Sequence, residues 1–121
     1  MKNVLITGCR GFIASNLISE LKKDYKVKCI GRYNANISFY DKERIIKEIK
    51  NSNVIIHLAA ITNPFNKEIF NVNVNYTKFL VENAKKFNKK FIYLSSQNVL
   101  FGKDNYSISK RKAEQIVKSL K

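Results

Sequence analysis

Short apolar runs alternate along this chain with stretches whose apolar residues recur at helical spacing, and that alternation leaves few folds open. Residues 3–7 (Asn-Val-Leu-Ile-Thr) read as a strand ending in a glycine-containing turn, and from Gly11 onward Phe12, Ile13, Leu17, Ile18 and Leu21 repeat as one helical face. Residues 25–30 form a second strand that breaks at Gly31. Residues 41–50 carry Ile45, Ile46 and Ile49 as a stripe behind Asp41, a natural N-cap. The run at 54–58 is too densely apolar for a half-exposed strand and suits one covered on both faces, as central parallel strands are. Phe70, Val74, Thr77, Leu80, Val81 and Ala84 predict a helix over 67–86, and residues 90–94 a further strand. Ile108, Ala113, Ile116, Val117 and Leu120 predict a last helix over 106–120, capped by Asp104 or Asn105. Only 33–40 falls short, and a strand stub is expected at 36–39. This order predicts an α/β fold, a doubly wound parallel sheet three layers deep with right-handed crossovers.

With 121 residues the chain is expected to be one domain, 1–121, burying about two-thirds of its unfolded surface. The net charge of +14 would suit a polyanion. The lysines are scattered, however, and neither zinc-finger spacing nor an aromatic-basic RNA motif is present, so nucleic acid is not the expected partner. No apolar run approaches the roughly 20 residues of a membrane span, and the N-terminus lacks the apolar core of a secretory signal, so a cytoplasmic location is expected. Cys9 and Cys29 have no redox or zinc spacing; both are expected as reduced thiols, and no metal site is expected.

Two constellations could carry chemistry. Thr7-Gly8-Cys9-Arg10-Gly11-Phe12-Ile13-Ala14 lies where the first strand feeds the first helix. Gly8 permits the tight turn, Gly11 leaves a diphosphate room to approach the open amides of the helix, and Ala14 lets helix and strand pack closely. In Tyr106-Ser107-Ile108-Ser109-Lys110, Tyr and Lys share one face of a helix start. An ammonium and the positive helix end would stabilise a phenolate there, and Ser96, closing the preceding strand, could hold a substrate oxygen. Alone, either pattern also fits an ordinary turn or a solvated helix edge; their placement favours a site. His57 reads as packed and hydrogen-bonded rather than catalytic. Where the second strand ends, dinucleotide binders that recognise a ribose 2′-hydroxyl place a carboxylate, but this chain has Gly31-Arg32. Arg32 and Arg10 could instead fork onto a 2′-phosphate, which favours NADP over NAD; Arg32 stacked over adenine would suit either cofactor.

Five motifs occur in order: Thr7-Gly8-x-x-Gly11-Phe12-Ile13, Val54-Ile55-Ile56-His57-Leu58-Ala59-Ala60, Asn73-Val74-x-x-Thr77, Leu94-Ser95-Ser96-x-x-Val99 and Tyr106-x-x-x-Lys110-x-x-Ala113-Glu114. Together they resemble the extended short-chain dehydrogenase/reductases, the NAD-dependent nucleotide-sugar epimerases, dehydratases and reductases with a Rossmann-like fold. The resemblance implies Tyr106 as catalytic acid-base, Lys110 as its electrostatic support and ribose ligand, and Ser96 as the third member. It also implies a cofactor set of Gly8, Arg10, Gly11, Phe12, Ile13 and Arg32, with Leu58, Ala59 and Ala60 along the dinucleotide, Asn36 and Ile37 near its adenine, and Tyr106 and Lys110 at its nicotinamide end. On the residues alone, Phe12 reads equally as core or rim.

Only nine residues separate Ser96 from Tyr106, which resembles a compact branch of sugar reductases and epimerases. The sequence ends with the Tyr-Lys helix, where relatives continue into a substrate lobe, so that lobe is expected to be missing. The strand at 90–94 would then be an exposed edge, inviting a homodimer or a complementary C-terminal chain. The expected function is hydride and proton transfer on a nucleotide sugar; the alternative is a dinucleotide-binding fragment that is non-catalytic or dependent on a partner.

Overall fold

Every strand pairing in the sheet is parallel. The computed structural model describes residues 2–32, 35–95 and 101–120. Its elements are β1 (Asn3–Thr7), α1 (Phe12–Leu21), β2 (Lys26–Gly31), β3 (Ile37–Ser38), α2 (Lys42–Asn51) and β4 (Val54–His57), then a π-helical segment (Asn71–Tyr76) running directly into α3 (Thr77–Lys86), and finally β5 (Lys90–Tyr93) and α4 (Asn105–Lys118). The sheet order is β3-β2-β1-β4-β5. This is the doubly wound arrangement the alternation predicts, with the topological switch between β1 and β4. Register sets Thr7 beside Ile30 on one side and His57 on the other.

Side chains alternate across a strand, so each strand feeds two cores. Leu5, Ile30 and Ile55 face Ile45 and Ile49 of α2 and Leu80 and Ala84 of α3. Val4, Ile6 and Ile56 face the other way, against Leu17, Ile18 and Leu21 of α1. Helix α2 begins where the sequence signals it: the Asp41 carboxylate accepts from Arg44 N at 3.2 Å. Asp104 rather than Asn105 caps α4, accepting from Ser107 N at 2.7 Å. The predicted stub materialises as the two residues of β3, extended by a bond from Phe39 N to Gly31 O at 2.9 Å.

Two expectations need correction. The helix read over 67–86 is not α-helical throughout, because its first turns are widened into the π segment. That widening lets Asn73 reach back to Ile61 while Tyr76 stays in the core and Thr77 meets His57. Cys9 and Cys29 are not the separate thiols their spacing suggests: the β1–β2 pairing carries the turn after β1 to β2 and sets the two sulfurs against each other, with Cα atoms 6.1 Å apart. A separation of 20 residues concealed this in the sequence.

Strand β5 is an edge of the sheet. Ile92, in register with Ile56 and so on the α1 face, is 46% exposed, and Leu94 is 44% exposed. Among the described residues no helix is long and apolar enough to cross a membrane.

Candidate functional site

Where the strand order reverses, the ends of β1, β2 and β4 enclose a cleft of about 470 Å³. Its floor begins at Gly8. With φ of +80° this residue occupies the left-handed region, and a Cβ there would lie 2.6 Å from Ala59 N and 2.7 Å from Ala59 Cα. Only glycine lets the turn press against the exit of β4. A Cβ on Gly11 would meet nothing within 4 Å, so this position borders open space where the first amides of α1 emerge. Those amides have no side-chain cap, which leaves the helix end suited to an anion.

The opposite wall is Leu58, Ala59, Ala60 and Ile61, and a buried polar chain holds it in place. Thr7 Oγ1 accepts from Leu58 N and Ala59 N, both at 3.1 Å, and lies 2.5 Å from His57 Nδ1. Two acceptances use both lone pairs of the hydroxyl, so its proton is donated to Nδ1. The imidazole proton is therefore on Nε2 and is donated to Thr77 Oγ1 at 2.8 Å, and Thr77 in turn donates to Asn73 O at 2.9 Å. Burial, with the Lys110 charge second, pulls the His57 pKa down to about 3. The ring is neutral and structural, as its apolar setting suggests.

Asn73 ties this wall to α4. It is buried, accepts from Ile61 N and donates to Ile61 O, both at 2.8 Å, and donates to Ser109 Oγ at 3.0 Å. Ser109 donates to Tyr106 O at 2.7 Å. Neither Asn73 nor Thr7 is assigned a role by reading the sequence. The available signal was an Asn and a Thr in otherwise apolar runs, positions where a buried polar group must find partners.

Tyr106 is half-buried at the start of α4, and Lys110 lies one turn later. The Lys110 ammonium donates to Leu94 O at 2.9 Å and stands 4.3 Å from the Tyr93 ring centre. Burial pulls its pKa down to about 8, opposed by Glu114. Glu114 accepts from Ser95 Oγ at 2.6 Å, so α4 grips the end of β5 at two successive residues. Ser96, the next residue and the remaining member of the expected triad, lies outside the described residues.

The structure distributes the expected cofactor residues unevenly. Gly8, Arg10, Gly11, Arg32, Leu58, Ala59 and Ala60 line the cleft together. Phe12 and Ile13 do not line it and are exposed, at 84% and 56%. Ile37 is buried in the core, and Asn36 accepts from Cys29 N at 3.0 Å; neither borders the cleft. The rim near β2 is instead completed by Phe39, with the Arg32 guanidinium 5.0 Å from its ring centre.

Comparison with known proteins places these features in a wider group. The sequence model of the NAD dependent epimerase/dehydratase family matches residues 4–121. A sterol-4-alpha-carboxylate 3-dehydrogenase (decarboxylating) of Dictyostelium discoideum is 27% identical over 126 residues, covering 87% of this chain and 38% of the relative. Among solved structures, MoeE5 in complex with UDP-glucose and NAD superposes with a TM-score of 0.85 at 23% identity, over 98% of this chain and 48% of its own. UDP-glucuronic acid 4-epimerase from Bacillus cereus in complex with NAD gives 0.82 at 23%, over 98% and 52%. The chain thus spans about half the length of these solved structures, and less of the curated relative.

Proposed function

Because this chain belongs to the NAD dependent epimerase/dehydratase family, we propose that residues 1–121 form a dinucleotide-binding Rossmann domain acting in hydride and proton transfer on a nucleotide sugar. The observation that carries this reading is the cleft at the β1/β4 switch, where Gly8 and Gly11 bring uncapped α1 amides to open space. Ligands of open α/β sheets bind at such a switch, and diphosphates bind at such a helix end. The residues present fit the group: Gly8 and Gly11 under the diphosphate, and Leu58, Ala59 and Ala60 along the wall.

When bound, the dinucleotide supplies or accepts hydride. Tyr106 exchanges a proton with a sugar hydroxyl or ketone. Lys110 follows one turn later on α4, its ammonium held by Leu94 O at 2.9 Å. Ser96 holds the reacting oxygen. NADP is preferred, because Arg10 and Arg32 rim the cleft and no carboxylate lines it among the described residues. A cytoplasmic location is part of the reading.

Titrating NADPH and NADH fluorescence against the purified chain tests it: saturable binding, tighter for NADPH, is expected, and binding of neither ends the proposal. A second reading is a dinucleotide-binding fragment without turnover of its own, dependent on a homodimer or a complementary C-terminal chain. It is favoured by the edge position of β5, with Ile92 and Leu94 half-exposed. Dinucleotide binding with every property unchanged in Tyr106→Phe would select it.

A further inference from the structure

Neither Cys9 nor Cys29 takes part in the proposed hydride and proton transfer. Cys9 is half-buried in the turn between Gly8 and Gly11, while Cys29 lies in β2 and is 9% exposed. Their Cα separation of 6.1 Å falls inside the span of a disulfide. Backbone pairing independent of sulfur holds them near each other: Ile6 stands in register with Cys29, and Gly8 N donates to Ile30 O at 3.4 Å. Both cysteines also line a second cavity, of about 410 Å³, framed by the exposed side chains of Lys22 and Asn36. A small reagent can therefore reach sulfur.

We propose that Cys9 and Cys29 form a reversible thiol–disulfide site, closed by a small disulfide such as oxidised glutathione and reopened by thiols. The Cys9 thiolate, the more accessible of the two, attacks one sulfur of glutathione disulfide; the S–S bond breaks and one glutathione leaves as thiolate. Cys29, deprotonated in turn, attacks the Cys9 sulfur of the mixed disulfide and expels the second glutathione. The two protein thiols are oxidised, one glutathione disulfide is reduced to two thiols, and the two protons lost by the protein end on them. The closed bond joins the turn carrying Gly8 to the strand that ends at Gly31, the two walls of the cleft nearest α1. This inference does not depend on what the cleft binds.

The test uses the purified full chain, treated with oxidised glutathione and then with a thiol-alkylating reagent. The expected product is monomeric, lighter by two hydrogens and unalkylated, with one peptide pair joined through Cys9 and Cys29. Dithiothreitol added to the folded protein restores two alkylatable thiols. The oxidised form is expected to melt about 10 °C above the reduced form, as a loop of this length allows. Cys29→Ser retains glutathione on Cys9 and shows no such gain. Two alkylated thiols after oxidation, a glutathione adduct persisting on the unmodified sequence, or a bond that dithiothreitol cannot open without unfolding would each overturn the proposal. The mass measurements on the unmodified chain decide the matter even if the variant fails to fold.

Discussion

Replacing Thr7 by Val removes one hydroxyl and keeps the shape of a side chain that is fully buried. Three contacts meet at that oxygen, but their loss is not equally costly. Leu58 N keeps its bond to the Thr7 carbonyl at 3.1 Å and is not orphaned. Ala59 N and His57 Nδ1 lose the partner the structure gives them, and a buried unsatisfied group costs about 1–3 kcal/mol. The Ala59 amide borders the cleft, where water can reach it, so it belongs at the low end of that range; His57 is 1% exposed and belongs higher. The sum is about 3 kcal/mol of lost stability. Urea unfolding at constant slope measures it directly as a shift in midpoint. Thr7→Ser serves as the control, keeping the hydroxyl and losing one methyl, with an expected cost of about 1 kcal/mol. If Thr7→Val unfolded within about 0.5 kcal/mol of the unmodified chain, or Thr7→Ser proved the more damaging, the hydrogen-bond assignment through His57 would be wrong.

Further outcomes follow from the same geometry. Asn73→Ala strands Ile61 N and O, and should cost about 2–4 kcal/mol by urea unfolding while weakening NADPH affinity. His57 has a folded pKa near 3 against 6.5 as its ordinary value, so the unfolded chain takes up its proton first. Its contribution to stability is complete above pH 6.5 and is lost as pH falls toward 3; His57→Gln should flatten that limb in unfolding measured across pH. Lys110 is also depressed, to about 8 from 10.5, so its burial is most unfavourable below pH 8 and is relieved as pH rises toward 10.5. Lys110→Met should therefore gain stability over the unmodified chain below pH 8 and lose that advantage above it, again by unfolding. Arg32→Asp removes a phosphate ligand and adds a ribose acceptor, and should move the NADPH-to-NADH affinity ratio toward NADH by at least about tenfold in fluorescence titration.

The layer order, the parallel sheet and the turn at Gly8 were legible from one-dimensional pattern, because strand density, helical period and caps at Asp41 and Asp104 are local properties of the chain. The Tyr106-Lys110 pair was legible for the same reason, since four residues of helix bring both onto one face whatever the rest of the molecule does. Other features depended on parallel register and crossovers, which bring together residues far apart in sequence. The π widening at Asn71–Tyr76 accompanies contacts from Asn73 to Ile61 and from the adjoining Thr77 to His57, partners 12 and 20 residues away. Ile37 of β3 packs into the core beside Leu5 and Ile30, and Phe39 lines the rim of the cleft, a placement set by how β3 pairs with β2. The cysteine pair was equally hidden: nothing within either run hints at the other sulfur, and only the β1–β2 register sets them side by side. Local backbone preference and hydrophobic period thus determined the elements, while long-range hydrogen bonding and packing decided which side chains face the cleft.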